Sequence, residues 1–165
     1  PEGMKGMRRL FQAIVRKTIS RAMPYVARVM RPLTMGVRAM VLDGEGRICL
    51  IRHSYVAGWH MPGGAIEPGE TAGEALAREL WEETGLALQG EPELFALYLN
   101  RRWSARDHVA LYLIRAFEVT DHRPSPREIL EHGFFPLDAL PEGTTGPTRR
   151  RIAEVLQATR ADPHW

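Results

Sequence analysis

Residues 64–86 read GAIEPGETAGEALARELWEETGL, directly after the chain-breaking run Met61-Pro62-Gly63-Gly64. Within them, residues 72–84 are expected to form a helix. Thr71 and Glu74 stand three apart as a capping box, and Gly85 offers the left-handed stop that ends many helices. At 100° per residue, Leu76, Ala77, Leu80 and Thr84 form an apolar stripe, and Glu79, Glu82 and Glu83 fall within an arc of about 100° beside it. Three carboxylates on one face repel one another by a few tenths of a kcal/mol per pair in an isolated helix. A cation would relieve that repulsion, and grouped hard oxygens suit Mg²⁺, which keeps several waters and is completed by substrate phosphates. Taken alone, the same face also reads as a solvated acidic surface in which Arg78 pairs with Glu74 and Glu82 four residues away.

The longer spacing decides between these readings. From Gly64 it runs five residues to Glu70, seven more to Arg78-Glu79, then Leu80, one residue, Glu82-Glu83, one residue, Gly85 and Leu86. This pattern resembles the Nudix box at every defined position, and the strands before it and the run Phe134-Phe135-Pro136-Leu137-Asp138-Ala139-Leu140-Pro141 after it extend the resemblance over about residues 33–160. The resemblance implies an α/β (α+β) fold, an αβα sandwich around a mixed β-sheet. It implies Mg²⁺ or Mn²⁺ held by Glu79, Glu82 and Glu83 with the backbone of Gly63, and support from Gly64, Glu70 and Arg78, which orient the helix and its carboxylates. The implied reaction is hydrolysis of a diphosphate bond in a nucleoside diphosphate linked to another moiety. Bound cations would neutralise the phosphate oxygens and activate the attacking water. A general base is also required; in relatives it is either a box glutamate, here Glu83, or a loop glutamate six residues before an aromatic, here Glu128 before Phe134. Glu131 is a third choice. A domain that keeps the fold and only senses nucleotides is the alternative, but such domains usually lose box carboxylates and this chain has all of them.

Substrate contacts are sought in two clusters. Arg52, His53, Tyr55, Trp59 and His60 lie just before the box, and Arg101, Arg102, Trp103, Arg106 and His108 lie beyond it. In each, an aromatic beside basic groups could stack a base and hold a phosphate, or simply pack a loop. Arg101 stands about 15 residues past the box, where ADP-ribose hydrolases of the family carry a proline. The tyrosine typical of dinucleoside polyphosphate hydrolases is also missing near residues 102–104.

Around this centre, the apolar runs at residues 33–42 and 47–53, joined by Asp43-Gly44-Glu45-Gly46, suggest a hairpin. Residues 94–102 and 108–119 read as strands, Phe134-Phe135 as a short one, and residues 137–140 as a helical turn. Residues 148–159 read as a helix with Ile152, Val155 and Leu156 inward. A chain of 165 residues, 44% hydrophobic and 25% charged, has the composition of one ordinary folded domain rather than a disordered or membrane-spanning chain. The single cysteine, Cys49, lies in an apolar run and reads as a buried thiol, which suits a reducing, cytoplasmic setting.

The net charge of +2 hides an asymmetry, since residues 1–31 carry eight Lys/Arg and one acid. There Phe11, Val15, Ile19, Ala22, Val26 and Val29 recur at helical spacing, with Pro24 interrupting. The expected organisation is a basic amphipathic helical extension over residues 1–31 and a hydrolase domain over 32–165. The extension is expected to pack on the domain or on a second copy in a homodimer. Weak contact with an anionic membrane is the alternative. Basic residues confined to one helix give no footprint for specific nucleic-acid binding, so the expected partner is a small nucleotide diphosphate derivative.

Overall fold

The computed structural model describes residues 33–158 and 162–165, all but Leu33 within one compact unit, Thr34–Trp165. The basic helix expected over residues 1–31 lies outside the described residues. Among the described residues, ten elements follow in order: β1 (Thr34–Val41), β2 (Ile48–His53), β3 (Trp59–His60), α1 (Ala72–Thr84), β4 (Leu86–Leu88), β5 (Glu93–Leu99), β6 (Asp107–Ile114), β7 (Phe117–Val119), β8 (Ile129–Phe135) and α2 (Gly146–Leu156). They assemble as three sheets ordered β1-β6-β5, β3-β2-β8 and β4-β7. The first is mixed, with β1 parallel to β6 and β5 antiparallel to it.

Alternation along the strands builds two cores, one under each helix. Val37, Ala39 and Val41 of β1 join Cys49, Ala110 and Ile114 against Ala75, Leu76 and Leu80 of α1. The residues between them, Met40 and Leu42, join Ile48, Leu50, Met61, Tyr98, Leu111 and Leu113 beneath Ile152 of α2. This is the expected αβα sandwich with a mixed sheet.

The turn at residues 43–46 forms as expected, with Asp43 Oδ1 accepting from the amides of Glu45 and Arg47. The hairpin does not continue: after a single bridge between Leu42 and Ile48, β1 and β2 part into different sheets. The edge of β1 is occupied instead by the segment leading into the box. Val37 N donates to Gly64 O at 2.9 Å, Ala39 N to Pro62 O at 2.8 Å, and Ile66 N to Met35 O at 2.9 Å. The apolar run 108–119 is likewise divided, because β7 leaves β6 to pair with β4. Strand β8 extends well before Phe134, through a polar stretch that pairs with β2. Residues 137–140 form a single turn, with Ala139 N donating to Pro136 O at 3.1 Å, and Leu156 is 57% exposed although Ile152 is buried.

Candidate active site

Helix α1 begins and ends as its sequence indicates. Thr71 Oγ1 accepts from Glu74 N, Glu74 Oε2 accepts from Thr71 N at 2.8 Å, and Gly85 caps the C-terminus at φ 72°. With both ends fixed, the face bearing Glu79, Glu82 and Glu83 is set against the loop at Gly63 and Gly64. Arg78 ties this face to the loop. Its Nε and Nη2 reach the two carboxylate oxygens of Glu70 at 2.8 and 3.0 Å, Nη2 also reaches Ala65 O at 3.2 Å, and Nη1 reaches Glu79 at 2.8 Å and Glu82 at 3.4 Å. The Arg78 guanidinium holds Glu70 down to about 2, so that pair stays charged throughout the neutral range.

Glu83 is in a different environment. It is buried, one carboxylate oxygen accepting from Gly63 N at 2.7 Å and the other 3.7 Å from His53 Nε2. Burial pushes its carboxyl up to about 8, against the opposing effects of the Gly63 amide and the Arg38 guanidinium, while the charges of Glu79 and Glu128 push it further. Glu79 is raised for the same leading reason, burial, opposed by Arg78. Burial also drives His53 down to about 4, with Arg38 and His60 adding to the effect. Near neutral pH the His53 ring is therefore uncharged and does not neutralise Glu83.

Glycine is required twice at this loop. Gly63 has φ 137°, and a Cβ there would run into the Val37 carbonyl; a Cβ on Gly64 would enter the space of the Glu79 carboxylate. Either substitution would move the backbone or the acid it approaches.

Among the described residues, no three carboxylate, imidazole or thiolate groups converge on one point. Each box acid is engaged separately: Glu79 by Arg78, Glu83 by the Gly63 amide, and Glu82 more exposed at the edge. The donor chemistry nevertheless fits a hard divalent cation. A buried Glu83 without a charged partner, beside a second carboxylate also raised by burial, is an electrostatic arrangement that such an ion would offset.

The other residues singled out from the sequence divide into two groups. Tyr55 is 74% exposed with its ring 4.8 Å from that of His53, and the His60 ring lies 5.8 Å from His53, so these three line one rim. Glu128 is tied to the same place through Ser54 N, which donates to its carbonyl at 2.9 Å. Arg52 and Glu131 instead pair with each other at 2.7 Å on the surface. Trp59 is a core residue, its ring edge-on to Phe135 at 4.9 Å, so its indole is not available for base stacking. Trp103 is 81% exposed in the turn after β5, and His108 is on β6 opposite Met35 and Leu99; neither contacts a box carboxylate. Arg38 was not distinguished by the sequence, because one arginine in an apolar strand gives no signal until the loop beside that strand is known.

A family model described as NUDIX domain matches residues 32–156. The NAD-capped RNA hydrolase NudC of Chromobacterium violaceum is 34% identical over 105 residues, 62% of this chain and 38% of that protein. The phosphatase NudJ of Escherichia coli is 33% identical over 97 residues, 55% of this chain and 61% of that protein. The chain thus spans less than two thirds of either curated relative. A crystal structure of a MutT NUDIX hydrolase from Burkholderia pseudomallei superposes with a TM-score of 0.64 at 28% identity, over 74% of this chain and 97% of that one.

Proposed function

We propose that this chain, which belongs to the Nudix hydrolase family, is a Mg²⁺-dependent enzyme that hydrolyses a diphosphate bond in a nucleoside diphosphate linked to another moiety. The observation carrying this reading is Glu83, a buried carboxylate held at the Gly63 amide beside Glu79 and lacking a charged partner. Glu79, Glu82 and Glu83, with the backbone of Gly63, would hold the ion, and Mn²⁺ would substitute. When bound, the ion supplies charge neutralisation at the phosphate oxygens and a more acidic water. Arg78 keeps Glu79 and Glu82 aimed from one side and is itself held by Glu70. The missing side chains at Gly63 and Gly64 let the loop lie directly against β1 and the Glu79 carboxylate.

The proton removed from water goes to Glu83 or to Glu128. Glu83 would accept it once a bound cation offsets the burial that otherwise keeps its carboxyl protonated up to about 8; the backbone hydrogen bond from Ser54 to Glu128 supports the second choice. Tyr55 stands where a nucleobase could stack against an exposed ring, next to His53. Residues 32–165 would constitute the hydrolase domain, and the basic residues 1–31 would pack on protein, with weak anionic-membrane contact as the alternative. The buried lone thiol of Cys49 is compatible with the cytoplasm. Among the described residues no helix is long and apolar enough to cross a membrane.

The test is a panel of nucleoside triphosphates, nucleotide sugars, dinucleoside polyphosphates and capped RNA, incubated with the purified chain and Mg²⁺ and then with chelator added. Chelator-sensitive release of a nucleoside monophosphate from a diphosphate-linked compound is the expected result. Turnover unaffected by chelation would reject the metal assignment.

A further inference from the structure

Arg38 lies on β1, in register with Leu111 of β6, and alternation puts it on the strand face that carries Met40 and Leu42. Its neighbours 37 and 39 bond the backbone of Gly64 and Pro62, and its Cα would be 3.0 Å from a Cβ built on Gly63. Arg38 therefore stands beside the same glycine whose amide holds Glu83. Its Nη1 is buried and has no hydrogen-bond partner, and among the described residues no carboxylate is within salt-bridge distance of its guanidinium. His53, only 6% exposed, likewise has a buried Nδ1 without a partner. The His53 ring is itself 3.7 Å from Glu83 and 5.8 Å from the His60 ring, so its orphaned nitrogen belongs to the same corner of the molecule.

Buried polar atoms in native proteins are almost always paired, and an orphaned donor calls for a specific reason. Of the other cations close by, Arg78 is engaged by acids on all three nitrogens, and Arg52, although its buried Nε also has no partner, pairs through Nη2 with Glu131 at the surface. Two unpartnered nitrogens from different strands, beside carboxylates that would be occupied by a cation, suit a phosphoryl group, whose tetrahedrally arranged oxygens a planar guanidinium engages in pairs.

We infer that Arg38, with His53 beside it, binds the diphosphate group of the substrate directly, gripping phosphoryl oxygens on the side away from the box helix. This rests on the proposed hydrolase reading and adds a residue to it. The guanidinium would hold negative charge that the carboxylate-bound ion does not cover, and so fix the diphosphate across the loop at Gly63. Arg38 would then contribute to binding in the ground state as well as during reaction, because its donors are in place before any bond breaks.

The inference is tested with the full chain as wild type, Arg38→Met and Arg38→Lys, titrated calorimetrically at saturating Mg²⁺ with methylenediphosphonate, a diphosphate whose bridge cannot be hydrolysed. Arg38→Met is expected to weaken binding by about 10- to 100-fold, the range for losing charge-assisted hydrogen bonds. Arg38→Lys should restore part of it, while Mg²⁺ affinity measured without the diphosphonate and the melting temperature at saturating Mg²⁺ stay unchanged. Diphosphonate binding equal to wild type in Arg38→Met would overturn the inference. Parallel loss of Mg²⁺ affinity and melting temperature would overturn it too, by making Arg38 structural. So would a gain in Mg²⁺ affinity with diphosphonate binding intact, which would make Arg38 a counter-charge for Glu79 and Glu83. A wild-type chain that binds methylenediphosphonate through Arg38 yet hydrolyses no diphosphate would support the inference while rejecting the proposed reaction.

Discussion

Two arginines, one fully buried and one half-buried, stand in contrasting regions of this molecule. Arg151 of α2 is fully buried and nearly fully used: Nη1 donates to His164 O at 2.7 Å, Nη2 to Glu154 at 2.6 Å, and Cζ stacks 4.3 Å from the Tyr98 ring. Tyr98 closes the network by donating to Glu154 at 3.0 Å, leaving only Arg151 Nε without an acceptor. Around Gly63 the reverse holds, with Arg38 and His53 presenting orphaned nitrogens and Glu83 lacking a charged partner. A buried charge surrounded by its own partners stabilises the fold; one left without them marks a place where something else is to be bound. The lesson is that burial of charge is informative only together with its accounting of partners.

The contrast can be broken most directly at Arg151. Arg151→Ala should cost about 3–5 kcal/mol of stability, because Glu154 is left partly buried without its cation, and kcat/KM below the melting transition should stay near wild type. Chemical denaturation and steady-state kinetics on one preparation would check both. If activity falls and stability does not, the two regions are coupled and the division drawn above is wrong.

At the other end the expected pattern is inverted. Glu82→Gln and Glu83→Gln should each lower kcat by at least about 10²-fold with the fold retained, as for loss of a metal ligand or base. Full activity in both variants, with circular dichroism unchanged, would refute the placement of the site on α1.

A pH series sharpens the comparison further. In metal-free protein the Glu83 carboxyl is held up to about 8 by burial, against an ordinary 4.5, so the unfolded chain gives up this proton first. Stability should consequently fall as pH rises between those values. His53, held down to about 4 from 6.5, and His60 and His132, also lowered by burial, have the opposite effect, which fades as pH rises beyond 6.5. The difference between wild type and Glu83→Gln over pH 6.5 to 8 isolates Glu83, and denaturant unfolding should show in wild type an extra loss approaching about 1.4 kcal/mol per pH unit. Saturating Mg²⁺ or Glu83→Gln should remove that slope; an equal slope in Glu83→Gln would assign it elsewhere.

The smallest effect is expected at Glu128. Its replacement by Gln should slow single-turnover hydrolysis by about tenfold or more if it is the base, with Mg²⁺ affinity unaltered. Recovery of the full rate at high Mg²⁺ would leave Glu83 as the proton acceptor.

How much of this was legible in the sequence depends on how local the information is. Helix α1, its capping box and its Gly85 stop are encoded within a few residues of themselves, and the structure follows them closely. The apolar runs of β1 and β2 were equally plain, but their separation into two sheets depends on the 62–66 segment taking the edge of β1, which no local pattern states. Trp59 looked like an exposed aromatic of a binding loop because its contact with Phe135 spans more than seventy residues. Arg38 was overlooked for the same reason: its character comes from the loop laid beside it and not from its neighbours in the strand. Strand β8 was noticed only at Phe134 and Phe135, since the residues before them are polar and partly exposed.

Cys49 carries a practical consequence. It is the chain's only cysteine, lies beneath α1 in the core shared by β1 and β6, and has its thiol pushed up to about 12 by burial and by the Glu83 charge. A thiol so placed reacts with an alkylating reagent only when the layer between helix and sheet parts. The native chain therefore contains its own opening clock: the rate at which the protein loses its one titratable sulfhydryl, read with and without Mg²⁺ or nucleotide, times how often the floor beneath the acidic helix lifts.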